Sequence, residues 1–90
     1  MVYLEVKHTV ADYAKWRKVF DNHEATRRSF GATGVKQVFR GLENPNSITT
    51  LIQWDTAENA QRFSQDQALK GAMAEGGVVS APEATFLNLT

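Results

Sequence analysis

The chain has ninety residues, ten basic and ten acidic side chains and no cysteine. A single domain over residues 1–90 follows, since domains rarely split below about 100 residues, and disulfides and thiolate chemistry are excluded. Even charge argues against a nucleic-acid partner or a polybasic membrane surface.

The opening "MVYLEVKH" lacks the basic segment and long apolar run of a signal peptide. No apolar stretch approaches the roughly 20 residues of a membrane span. A cytoplasmic protein with no membrane partner is therefore expected. From Val2 to His8 the residues alternate, with Val2, Leu4, Val6 and His8 on one side and Tyr3, Glu5 and Lys7 on the other. That period of two predicts a half-buried strand. Asp12 is placed to cap the helix that follows. Tyr13, Trp16, Phe20 and His23 recur at three- and four-residue spacing, the stripe of a helix lying on a sheet. One continuous helix is expected to run to about Phe30, with "GATG" as its exit turn. Arg27 and Arg28 read as a solvated face near its negative end.

Two strands follow, Val35 to Leu42 and Ser47 to Asp55, joined as a hairpin by "ENPN". Thr56 can cap a second helix through Ala60 and Phe63, while Asp55 starts its approach. The apolar phase of that helix slips near Ser64 to Asp66, so a break is expected there, with Asp66 as a second cap and Gly76-Gly77 as the end. A last strand runs from Glu83 to Leu89, behind Pro82.

The order β-α-β-β-α-β is the split βαβ or ferredoxin-like unit, an α+β fold with a four-stranded antiparallel sheet and its helices on one face. The first and third strands are expected in the middle. Val35, Phe39, Ile48, Ile52 and Phe86 are assigned to the helix side with Val2, Leu4 and Val6. Tyr3, Val38, Leu42, Leu51, Leu87 and Leu89 are assigned to the other face. An apolar face of that extent is seldom left open in a monomer, which predicts a homodimer packed through it.

The element order, carried by "HTVADYAKWRKVFD", "ENPNSITTLIQWD", "AENAQRF" and "AMAEGGV", resembles the dimeric α/β-barrel group of ferredoxin-like proteins, which includes antibiotic-biosynthesis monooxygenases. The resemblance implies a pocket between the helices and the sheet. It implies a homodimeric small-molecule-binding protein, with two readings: a cofactor-independent monooxygenase or isomerase acting on a small aromatic or polyketide-like compound, or a non-catalytic ligand-binding or accessory dimer. The haem-degrading branch of the group uses a histidine on the second helix, and "AQRFSQDQALKGAMAEGG" contains none. No cofactor is expected.

The residues available to line such a pocket are Tyr13, Trp16, Phe20, His23, Trp54, Phe63, Leu69 and Met73, with His8 at its rim. An apolar cleft with few polar groups suits a small aromatic ligand; the alternative is that these side chains fill the core. His8 has three readings: a catalytic acid or base, a structural residue bonded near Asp12 or Tyr13, or a surface residue. No metal site is expected, because His23 lies about 16 Å further along a helix at 1.5 Å per residue. Arg40 is either an outward strand residue or a group that orients an anionic substrate.

Overall fold

The computed structural model describes residues 1–90. It contains β1 (Val2–Thr9), α1 (Tyr13–Asn22), α2 (Glu24–Phe30), β2 (Ala32–Arg40), β3 (Ser47–Trp54), α3 (Ala57–Ser64), α4 (Gln67–Glu75) and β4 (Glu83–Asn88). The strands form one antiparallel sheet in the order β2-β3-β1-β4, with β1 and β3 central. This is the ferredoxin-like arrangement, with its helices on one face.

Both helical segments are broken. Asp12 caps α1 by accepting from the backbone N–H groups of Ala14 and Lys15. The helix that the apolar stripe predicted as continuous stops at Asn22, and α2 restarts at Glu24. Periodicity survives such a break, because Phe20, His23, Arg27 and Phe30 keep their spacing across it. The slip near Ser64 to Asp66 is a true break, and the Asp66 carboxylate accepts from Ala68 N–H to start α4. Gly31 ends α2 at φ 117°, a left-handed backbone that costs an L-residue about 1–2 kcal/mol. A Cβ there would also collide with the Asp55 carboxylate, which is held by Thr56 N–H and Asn59 Nδ2–H at the start of α3.

Register decides which side chains share a face. Leu4 pairs with Ile52, Val6 with Thr50 and His8 with Ile48, and all six are buried under the helices. On β2, Val38 pairs with Thr50 and Phe39 with Thr49. Val38 therefore lies on the helix side and Phe39 on the open side, with Val35 in the same phase as Phe39; the sequence assignment of these three is reversed. Both phases of "VKQVFR" carry apolar residues, so alternation alone was ambiguous. The helix-side charges reach the edge of β2 instead: Lys36 pairs with Glu24, and the Arg40 guanidinium stacks 3.9 Å from the Tyr13 ring centroid. Leu42 lies beyond the strand in the turn and is exposed.

The open face consequently presents Val35 and Phe39, 51% and 50% exposed, with Leu87 and the adjoining Leu89 beyond Tyr3 and Leu51. Edge strand β4 has no buried residue on either face, and even Phe86, on the helix side opposite Leu4, is 40% exposed.

Candidate functional site

The core forms two clusters rather than one. Leu4, Val6, Ala32, Ile52, Trp54, Ala60 and Phe63 pack together, and Val10, Trp16 and Ile48 form a second group. A cavity of about 50 Å³ lies between the sheet and the helices, walled by members of both. Its sheet side is Leu4, Val6 and His8 of β1 with Thr50 and Ile52 of β3. Trp16, Val19 and Phe20 close it from α1, and Phe63, Leu69, Ala72 and Met73 from α3 and α4. His23, at the α1–α2 break, and Arg27, one turn into α2, supply its remaining wall. Phe20, His23, Leu69, Ala72 and Met73 are only half-buried, which places the mouth between that break and α4.

His8 is carried inward by the same alternation that buries Leu4 and Val6. It is 6% exposed, and its ring stands edge-on to Trp16 with centroids 5.6 Å apart. Neither Nδ1 nor Nε2 has a hydrogen-bond partner in the chain. Asp12 does not supply one, since its carboxylate is engaged in capping α1. Burial pulls the His8 pKa below its ordinary value, so the imidazole is neutral at pH 7, with one N–H and one lone pair both unspent.

His23 shares the cavity with His8. The ring of His8 lies against Trp16, part-way along α1 rather than beside its start, and the cavity wall continues from Trp16 to His23, so both border one space. The His23 Nδ1–H donates to the Val19 carbonyl at 2.9 Å, which also accepts the His23 backbone N–H at 3.2 Å. No group of three or more His, Asp or Glu side chains able to hold a metal ion forms.

The side chain that sequence reasoning missed is Arg27. Instead of a solvated face it is 3% exposed and lies in the cavity wall. One terminal nitrogen donates to the Phe20 carbonyl at 2.8 Å and the other to Glu24 Oε2 at 2.9 Å. The guanidinium carbon sits 4.0 Å from the Phe20 ring centroid, a cation–π contact in a desolvated setting. Burial pulls the Arg27 pKa down while Glu24 pushes it back up, and the group stays cationic. Partial burial pushes Glu24 up, but hydrogen bonds from Arg27 and Lys36 outweigh it and hold the carboxyl below its ordinary range. A signal was present, since Arg27 falls four residues after His23 and three before Phe30 on the buried stripe; its residue type argued the other way. Thr50 was overlooked similarly, though it alternates in phase with Ile48, Ile52 and Trp54.

Trp16, Phe20, His23, Phe63, Leu69 and Met73 thus meet around His8. Two expected members do not. Trp54 is wholly buried against Phe63, ring centroids 5.0 Å apart, and lies outside the cavity wall. Tyr13 packs on the far side of Trp16, beneath Arg40. Arg40 donates from Nε to the Pro45 carbonyl and is likewise remote from the cavity.

No protein-family model matches the chain, and no curated protein is significantly similar to it. Solved structures are similar in fold. A provisionally named antibiotic biosynthesis monooxygenase from Bordetella bronchiseptica superposes with a TM-score of 0.80 at 14% identity, over 99% of this chain and 97% of that one. A protein of the same provisional name from Caulobacter crescentus gives 0.75 at 19% identity, over 99% and 89%. SnoaB from Streptomyces nogalater, a cofactor-independent oxygenase, gives 0.68 at 21% identity, over 99% and 92%. The chain therefore has the fold of the antibiotic biosynthesis monooxygenase structures from end to end.

Proposed function

We propose that the protein binds a small, largely apolar molecule between its helices and sheet and transforms it without a cofactor, by oxygenation or isomerisation, with His8 as the proton acceptor. One observation carries this reading: a buried imidazole whose two nitrogens are both unpartnered, in the wall of an apolar cavity. Leaving a buried donor or acceptor unsatisfied costs about 1–3 kcal/mol, a cost that a purely structural histidine has no reason to retain. Its lowered pKa keeps the lone pair free at neutral pH, so it can take a proton from an activated C–H or O–H of the ligand. The anion formed supplies its own electrons, either to dioxygen or to reprotonation at another carbon. SnoaB, on the same fold, is a cofactor-independent oxygenase, which favours the first outcome.

The cavity of about 50 Å³ is a third of the roughly 150 Å³ that admits benzene in an engineered protein core. A ring-sized ligand enters by displacing α4. That helix has no buried residue, and it contributes Leu69 and the flexible Met73 to the mouth.

The working unit is a homodimer joined through the open sheet face. The exposed Val35, Phe39, Leu87 and Leu89, with an edge strand that buries nothing, support this. A standard interface of about 800 Å² per partner would cover such a patch. Phe39→Lys should shift the sedimentation coefficient from dimer to monomer; a wild-type monomer would remove the proposal.

The deciding experiment is native mass spectrometry of purified protein, with identification of any compound released on denaturation, followed by turnover of that compound by wild type and His8→Ala. Loss of turnover with retained binding supports catalysis by His8. Equal turnover eliminates the catalytic role and leaves a ligand-binding dimer, the second reading.

A further inference from the structure

Arg27 has an arrangement that its structural contacts do not account for. Its two terminal nitrogens hold the Phe20 carbonyl and Glu24, which would suffice to pin α2 against the end of α1. Its Nε, buried in the same wall as His8, has no partner. The charge around it is also uneven. Glu24 is the one carboxylate within 4.0 Å of three cations, with Arg27 at 2.9 Å, Lys36 at 3.2 Å and Arg28 at 3.9 Å. The neighbouring Arg17–Asp21 pair, at 3.0 Å, is neutral as a unit. Glu24 therefore cannot neutralise the polar end of the cavity. His8, uncharged, adds one donor and one acceptor to the wall but no positive charge.

We propose that the Arg27 Nε–H anchors an anionic oxygen of the ligand, so that the protein selects a flat apolar molecule bearing one acidic oxygen group over its neutral isostere. This rests on the reading that the cavity takes a small ligand, and adds to it the charge of that ligand and the residue that reads it. An ion inside a desolvated cavity requires a fixed counter-charge and a donor aimed at it. Arg27 supplies the counter-charge, and the contacts that make it rigid leave its Nε–H uncommitted in the cavity wall. The apolar remainder of the wall receives the ring. Arg27 so acts as a positioning group, setting the ligand's orientation toward His8 without exchanging a proton itself.

The test uses benzoate and benzamide, which share a shape and differ in charge, titrated into the wild-type protein. Binding is read from the Trp16 and Met73 side-chain resonances, and the anchor from the Arg27 Nε–H resonance. Benzoate should bind at least about tenfold more tightly than benzamide, the scale of one charge-assisted hydrogen bond, and should shift the Arg27 Nε–H signal. In Arg27→Met, if folded, the preference should collapse toward unity; the wild-type comparison stands without this variant. Equal affinities, or benzoate binding that leaves the Arg27 signal unmoved, overturn the anionic anchor while leaving the cavity reading intact. Failure of both probes to move the cavity resonances at millimolar concentration overturns both.

Discussion

Replacing His8 by leucine should stabilise the protein. The neutral ring buries one donor and one acceptor, neither of which finds a partner in the chain, and each such group costs about 1–3 kcal/mol. Leucine removes both at similar volume. Against this stand the edge-on contact with Trp16, worth about 0.5–1.5 kcal/mol, and repacking, below about 1.5 kcal/mol for a volume-conserving change. At the midpoints of these ranges the net gain is about 2 kcal/mol. Since 1 kcal/mol moves the midpoint of a domain of this size by about 4–8 °C, calorimetry at fixed protomer concentration should show a rise of at least about 4 °C. Urea unfolding should show a higher midpoint with an unchanged slope. The pH dependence gives a second arm. The folded pKa of His8 is lowered by burial, so the unfolded chain takes up the proton first as pH falls. The associated stability is present above about 6.5, the unfolded value, and is lost as pH falls through 6.5 toward the folded pKa. The advantage of His8→Leu should therefore widen on acidification in that window. A variant less stable than wild type by more than about 1 kcal/mol, with no such widening, would refute the claim that His8 is an unsatisfied group.

Three further outcomes follow from the geometry. Gly31→Ala should destabilise by about 2 kcal/mol or more in urea unfolding, from left-handed strain added to the collision with the Asp55 carboxylate. Glu24→Gln should cost about 1–3 kcal/mol by stranding the buried Arg27; because Glu24 is held below its ordinary pKa, the deficit should be present at neutral pH and shrink as pH falls through the folded value. Asp66→Ala, which removes the α4 cap, should cost about 0.5–2 kcal/mol and accelerate amide exchange in residues 67–75 ahead of the sheet.

Most of the architecture was legible in local pattern. The alternation of "VYLEVKH", the caps at Asp12, Thr56 and Asp66 and the hairpin signal of "ENPN" each act over a few residues, so the chain order of elements and the second helical break could be read directly. The ferredoxin-like topology followed, because antiparallel pairing and right-handed crossovers leave few other ways to connect that order. His8 itself was legible as an inward-facing residue, since its phase matches Leu4 and Val6.

What the tertiary structure alone decided were matters of which surfaces meet. Strand β2 carries apolar residues in both phases, and only its pairing with β3 turned Phe39 outward and Val38 inward. Trp16 and Trp54 look alike as buried aromatics, yet the sheet-to-helix spacing makes one a wall of the cavity and seals the other against Phe63. Arg27 is the clearest case: charge predicts solvent, and its burial depends on the Phe20 carbonyl, a partner at Glu24 and the Phe20 ring all arriving around one guanidinium. A break between two helices created those partners. Periodicity records the direction in which a side chain points, whereas its partners are fixed by the packing of segments that are independent in sequence.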